Sequence, residues 1–208
     1  MIIGICGLIG AGKDTIADYL VNIHQFRRES FANSLKEAVS SVFGWDRELL
    51  EGRTKQSREW REQPDAWWSE RLGREVTPRW VLQQWGTDVL RKGFHDDIWV
   101  ASLENKLRKT TDDVVISDCR FPNEIQAIRA AGGRVIRVIR GPAPEWWGTA
   151  AVNPDLMPQL YPKVHASEWS WAADNFDRLI PNHGTLDDLY ASVNDLVRDL
   201  RVAPESLP

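Results

Sequence analysis

The sequence predicts an α/β protein: a mostly parallel, five-stranded sheet with helices on both faces. Three observations carry this reading. Short apolar, β-branched runs alternate with segments of helical period, the pattern of right-handed βαβ units. The first of these runs passes through a Gly-rich stretch directly into a helix. A later one, Val114-Val115-Ile116, ends on the polar pair Ser117 and Asp118, as a buried strand does at the ligand edge of an open sheet.

The elements follow in order. Met1 to Cys6 is a buried strand by length and β-branched content. Gly7 to Lys13 is a Gly-rich turn, and Asp14 to Ile23 is a helix with Ile16, Ala17, Leu20 and Val21 on one face. Phe26 to Phe31 is a weak second strand, and Ser34 to Phe43 is a helix stopped by Gly44. Trp45 to Thr77 is dense in charge and Trp without a clear period, and reads as an insertion, residues 45–77, of undefined form. Pro78 opens a helix to about Lys92, since proline is tolerated in a first helical turn. On it, Val81, Leu82, Trp85 and Val89 form the expected core face. Asp96 to Lys109 is a further helix, capped by Asp96 or Asp97. After the third strand come a helix from Pro122 to Ala131, stopped by Gly132-Gly133, and a strand from Val135 to Ile139. Residues 141–162 hold five prolines and no period; a stretch of that kind in a compact domain is often a lid, here 141–165. Leu179-Ile180 is the last strand. The stripe Leu186, Leu189, Tyr190, Val193, Leu196, Val197, Leu200 is a helix to the C-terminus. One domain spanning 1–208, with an insertion and a lid, is expected.

Composition narrows the function. At 208 residues, 42% hydrophobic and 27% charged, the chain is globular and long enough to bury a core. A net charge of −4 argues against wrapping polymeric nucleic acid, although a local cluster of donors still suffices for one nucleotide. Cys6 and Cys119 make neither a disulfide framework nor a metal set, so a reducing cytosol fits. No apolar run approaches a membrane span, and the start lacks the basic n-region of a signal peptide. The 11 Trp are core or interface anchors, or stacking surfaces for bases.

Chemistry concentrates in a few places. Gly7-Leu-Ile-Gly-Ala-Gly12-Lys13 follows a strand and opens a helix, the setting of a phosphate loop of the form GxxxxGK. Its glycines let backbone N–H groups curl around a phosphate; Lys13 reaches the outer phosphates and the helix N-terminus adds its dipole. Where a hydroxyl usually follows the lysine to ligate Mg²⁺ stands Asp14, with Thr15 after it; the metal ligand is one or the other, unless Asp14 only caps its helix. Arg79, Gln83, Gly86 and Thr87 share one narrow helical face, suited to a small polar ligand or to solvent. Asp118, at a strand end, can hold Mg²⁺ beside the loop or pair an Arg structurally, and Arg120 can fork onto phosphate oxygens. Glu124, a turn later, orients Arg120, binds substrate or lies on the surface, and Lys36 follows the second strand near the acceptor edge. The four histidines, 24, 95, 165 and 183, have no ligand spacing.

Together, Gly10-Ala-Gly-Lys-Asp-Thr15, Leu82-Gln-Gln-Trp-Gly-Thr-Asp88, Trp99, Asp118-Cys-Arg120 with Glu124, Arg134 to Arg140, His165-Ala-Ser-Glu168 and Asn182-His-Gly-Thr-Leu186 resemble the bacteriophage-type deoxynucleoside monophosphate kinases. The resemblance covers nearly the whole chain and implies the P-loop nucleoside monophosphate kinase fold. It implies transfer of the γ-phosphoryl of ATP to a deoxynucleoside monophosphate, with Mg²⁺, in the cytoplasm of a host cell, and a homodimer. By it, Gly7, Gly10, Ala11, Gly12, Lys13, Asp14, Thr15 and Arg140 bind ATP; Lys36, Arg79, Gln83, Gly86, Thr87, Trp99, Arg120 and Glu124 bind the acceptor; Lys13, Asp118 and Arg120 are catalytic; and Asp14, Thr15 and Asp118 serve the metal. The position after Arg79, often basic in that family, is Trp80 here. Two other functions fit the same residues: a P-loop kinase of an alcohol, resembling dephospho-coenzyme A kinase, with Asp118 as base, and a non-catalytic nucleotide-dependent binding module.

Overall fold

A computed structural model describes residues 1–202 of the chain. The strands are β1 (Ile2–Cys6), β2 (Arg27–Glu29), β3 (Val114–Ile116), β4 (Arg134–Ile139) and β5 (Arg178–Pro181). The helices of the first half are α1 (Lys13–His24), α2 (Asn33–Phe43), α3 (Arg47–Glu51), α4 (Lys55–Glu62), α5 (Ala66–Leu72), α6 (Pro78–Gln83) and α7 (Ile98–Leu107). Those of the second half are α8 (Pro122–Ala130), α9 (Trp147–Val152), α10 (Met157–Leu160), α11 (Ala166–Trp169) and α12 (Leu186–Val202). The expected C-terminal helix is present up to Val202; residues 203–208, onto which it was expected to run, lie outside the described residues. None of the described helices is long and apolar enough to cross a membrane.

The chain folds as two compact units: residues 1–30 with the chain from Lys106 on, and Phe31–Asn105. The first unit holds the sheet, in the order β2-β3-β1-β4-β5, with every pair parallel. Alternation along β1 sets its two faces. Ile3 and Ile5 turn to a core of Ile16, Ala17 and Leu20 from α1 and Leu189, Val193, Leu196 and Val197 from α12. On the opposite face Gly4 lies against Ile128 of α8. Burying these apolar chains on both faces is what holds the unit together. The predicted five-stranded α/β sheet with helices on both faces is the observed one, with β2 trimmed to its central three residues.

The second unit orders the stretch expected to be formless. Its three short helices begin at Asp46, Thr54 and Asp65, whose side chains accept from backbone N–H groups of the first turn. Leu35, Val39, Trp45, Leu50, Val76, Val81 and Trp99 form its core, flanked by Phe43, Trp60, Trp68, Trp80 and Trp85. The indoles of Trp45 and Trp68 donate to Asp65 Oδ2 at 2.8 Å and to the Phe43 carbonyl at 3.0 Å, so their polar edges are satisfied. Most Trp of this stretch are therefore core anchors; Trp67, 62% exposed, is the exception.

One expectation needs correction. After Gln83 the helix opened by Pro78 continues as a π-helix, Gln84–Lys92. Its wider turn, bonded i to i+5, moves the apolar stripe on by about one residue. Val89, expected in the core, is 52% exposed, and Leu90 packs there instead.

The segment 141–165 also departs from a structureless loop. It carries α9, a 3₁₀ turn at Pro154–Leu156 and α10. Ala150 and Met157 are fully buried with Ala172 against Trp146, Trp147, Tyr161, Val164 and Trp169. The Arg137 guanidinium of β4 lies 3.8 Å from the centre of the Trp147 ring. Proline at first-turn positions of the short helices hid them from a periodicity reading.

Candidate active site

Parallel strands bring their C-terminal ends to one edge, so the loops after β1, β3, β4 and β5 gather there. Because β1 is central, the loop 7–12 sits in the middle of that edge, with residues 117–120 on one side and Arg140 and Asn182 on the other.

The loop is built for an anion. Gly12 has φ +106°, and a Cβ there would come 2.5 Å from the Asn182 amide nitrogen, so glycine is required twice over. Asn182 donates from that amide to the Ala11 carbonyl at 2.8 Å, tying the loop to the end of β5. Lys13 donates to the Gly7 and Leu8 carbonyls at 2.8 and 3.0 Å, so its ammonium folds back over the loop. Burial first, then the charge of Arg120, lowers its pKa from the ordinary lysine value. Asp14 and Glu168 oppose that lowering. Arg140 reaches toward the Gly10 carbonyl at 3.5 Å and, with Leu8 and Gly141, lines a pocket beside the loop.

Asp14 Oδ1 takes a hydrogen bond from Ser117 at 3.2 Å and pairs with Arg28, whose other nitrogen donates to Asp18 at 2.7 Å. Thr15 follows in the first turn of α1. Asp118 stands two residues past the end of β3, whose Ile116 is level with Gly4 of β1. Arg120 pairs with Glu168 of α11 at 3.3 Å. Glu124 is buried, not a surface residue: its Oε2 accepts the backbone N–H groups of Arg120 and Phe121 at 2.7 and 3.1 Å. It closes the first turn of α8 and fixes the backbone that carries Arg120.

The candidate acceptor residues belong to the second unit. Arg79, at the start of α6, pairs with Glu62. Gln83 and Thr87 are exposed, whereas Gly86 is buried in the π-helix. Trp99, 7% exposed, sits in the core and donates to the Gly86 carbonyl at 2.9 Å. Lys36 of α2 donates to Glu51 at 2.8 Å, and Arg47 reaches the same carboxylate at 2.6 Å. Burial raises the pKa of Glu51, but the two cations outweigh it and hold the carboxyl below its ordinary value. Lys36 and Arg79 are thus charged groups held by carboxylates.

Sequence reading missed Arg28 and Arg61. Arg28 stands on a three-residue strand whose partners lie on α1 and past β3, so no local spacing announces it. Arg61 lay in the stretch left without form. Glu168 was visible only as a member of a motif, without a role; the Asn182 region was expected near the ATP base, and its amide holds the Ala11 carbonyl of the loop.

A phosphate loop at the centre of a five-stranded parallel α/β sheet, with Lys13 and Arg120 at its mouth, defines a nucleotide-binding protein of the P-loop kinase class. Residues 69–193 match the family model of deoxynucleotide monophosphate kinases. A protein of Acanthamoeba polyphaga mimivirus named as a deoxynucleotide monophosphate kinase is 31% identical over 208 residues, covering 93% of this chain and 94% of the relative. The deoxynucleoside-5'-monophosphate kinase of Escherichia phage T5 is 28% identical over 179 residues, covering 62% of this chain and 72% of its own length. The chain belongs to the deoxynucleotide monophosphate kinase family. Among solved structures, shikimate kinase from Acinetobacter baumannii aligns over 97% of this chain and 95% of its own, at 14% identity and a TM-score of 0.46.

Proposed function

We propose that this enzyme moves the γ-phosphoryl group of ATP to a deoxynucleoside monophosphate, giving ADP and a deoxynucleoside diphosphate. The observation that carries the proposal is the glycine loop after the central strand with the Lys13 ammonium folded over it, in a chain of this family.

The chemistry needs cations more than a base. The acceptor phosphate, with a second pKa near 6, is largely a dianion at pH 7 and is already a nucleophile. What opposes reaction is repulsion between two anionic phosphates and charge gathering on the transferred group. Lys13 would leave the Gly7 and Leu8 carbonyls for the ATP phosphates, and Arg120 would meet the transferring group, oriented through Glu124 beneath its backbone. Arg79, Lys36, Gln83, Gly86 and Thr87 are the proposed acceptor residues, and Trp99 would shape that face from below through Gly86. Arg140 would lie beside the nucleotide held by the loop.

Among the described residues no cluster of three or more His, Cys, Asp or Glu could hold a metal by itself. Mg²⁺ keeps several waters and takes substrate phosphates with one or two protein oxygens, so the hard-oxygen donors here fit it. The Thr15 hydroxyl and the Asp118 carboxylate would hold it, since Asp14 already pairs with Arg28. When bound, the ion neutralises phosphate charge. We take both units as one kinase domain with 45–77 as its insertion and 141–165 as its lid, acting on small nucleotides in the host cytoplasm and pairing as a homodimer.

The test is a panel of common nucleoside and deoxynucleoside monophosphates with ATP and Mg²⁺, reading ADP formation. The proposal expects release that depends on a deoxynucleoside monophosphate. ADP released equally with and without an acceptor would contradict it.

A further inference from the structure

Arg61, on α4, has its Nε buried without a hydrogen-bond partner among the described residues. A buried donor on a charged group is costly to leave unpaired, and folded proteins rarely do so without a use for it. The guanidinium has a place made for it. Gly52, at φ +68°, lies so close that a Cβ there would run into the Arg61 side chain. Glycine at this position permits the turn after α3 and clears room for the arginine.

The surroundings are short of negative charge. Lys36, Arg47 and Arg53 share the single carboxylate of Glu51, at 2.8, 2.6 and 3.9 Å. Glu62, next to Arg61 in sequence, is taken by Arg79. Burial first, then the charge of Arg79, lowers the proton affinity of Arg61; Glu62 and Glu51 oppose this, and Arg58 adds a little to it. Six basic side chains therefore crowd two carboxylates. A group with two negative charges and several acceptor oxygens would supply what this corner lacks. Lys36 and Arg79 are also the two basic residues of the second unit that the sequence singles out for the acceptor.

We propose that Arg61, with Arg79 beside it, seats the 5'-phosphate of the acceptor nucleotide. This deepens, and rests on, the reading of the enzyme as a deoxynucleoside monophosphate kinase. Arg79 exchanges the half-exposed Glu62 carboxylate for the phosphate, while Arg61 gains its first hydrogen-bond partner at Nε. The 5'-phosphate is the nucleophile of the transfer, so Arg61, by seating it, contributes both to acceptor affinity and to the placing of the attacking oxygen.

Two measurements on the full chain test this: steady-state kinetics, and calorimetric binding of the best deoxynucleoside monophosphate against its parent deoxynucleoside. In Arg61→Gln, KM for the monophosphate should rise about tenfold to a hundredfold, as for loss of a charged hydrogen bond. KM for ATP should change by less than about threefold, kcat should fall as well because the attacking phosphate is held less firmly, and the preference for monophosphate over nucleoside should fall by the same factor as KM rises. Arg61→Lys should lie between, because a point charge cannot reproduce the fork. Gly52→Ala supplies a second route, pushing the guanidinium aside without removing it, and should also raise KM for the monophosphate. If Arg61→Gln loses thermal stability but keeps the wild-type KM and preference, Arg61 is structural and the proposal is overturned. If the wild type turns over no monophosphate yet binds it better than the nucleoside, and Arg61→Gln loses that preference, the kinase reading fails while the phosphate seat stands. Absence of any phosphate preference in the wild type sinks both.

Discussion

Asp14 puts a carboxylate beside the place where a triphosphate would sit, and one guanidinium offsets it. Arg28 pairs with Asp14 and Asp18 together and donates to Ser117 at 2.7 Å. Asp14 is 79% exposed on its side chain, so the pair itself adds at most about 1 kcal/mol of stability. Its effect is on the field at the loop, where it cancels a negative charge that would repel ATP. Asp14→Asn should therefore leave the Mg²⁺ concentration for half-maximal rate within about twofold of wild type, whereas Thr15→Ala and Asp118→Asn should raise it on the order of tenfold. A Mg²⁺ titration of the three variants checks this; a large shift in Asp14→Asn alone would place the ion on Asp14. At this scale the sequence was legible where spacing is local, as in Gly7 to Lys13. It was silent on Arg28, whose three partners come from α1 and the loop after β3, a meeting that only the folded sheet arranges.

Among the elements, the segment from Trp146 to Trp169 is held by a small core of its own, with Met157 fully buried at its centre. Met157→Ala should cost about 2–5 kcal/mol locally, the usual range for a buried Met truncated to Ala. Because the cluster is small, the loss should appear as faster amide hydrogen exchange across residues 147–172, with the exchange of β1 and β4 unchanged. Uniform acceleration over the sheet would show instead that the segment is no separate cooperative unit, and would remove it as a lid. The five strands and the long helices α1, α2 and α12 were readable because each is one run of one period. The helices of residues 45–77 and 141–165 were not: they span four to eight residues, too few to display a period, and Trp packing and first-turn caps hold them. The π-helix escaped for a related reason, since a pattern read at 3.6 residues per turn assigns Val89 inward and the wider turn brings in Leu90.

At the scale of the molecule, sheet order does the organising. With β1 central and all strands parallel, residues from four separate loops reach one edge, and the loop with Lys13 is in the middle. The parallel sheet followed from the alternation of strands and helices; the central place of β1 did not. Which phosphate acceptor the second unit admits did not, because Trp99, Gly86 and Lys36 serve packing or ion pairs in it as well. The central claim is that the transferred phosphoryl group lands on a phosphate and not on a hydroxyl. Incubating the enzyme with γ-labelled ATP, Mg²⁺ and a deoxynucleoside monophosphate, then locating the label by ³¹P NMR, tests it directly. The account predicts label on the β-phosphate of a deoxynucleoside diphosphate, with no transfer to the deoxynucleoside lacking its phosphate. Label found on a hydroxyl oxygen of an alcohol acceptor, with none on any monophosphate, would contradict it.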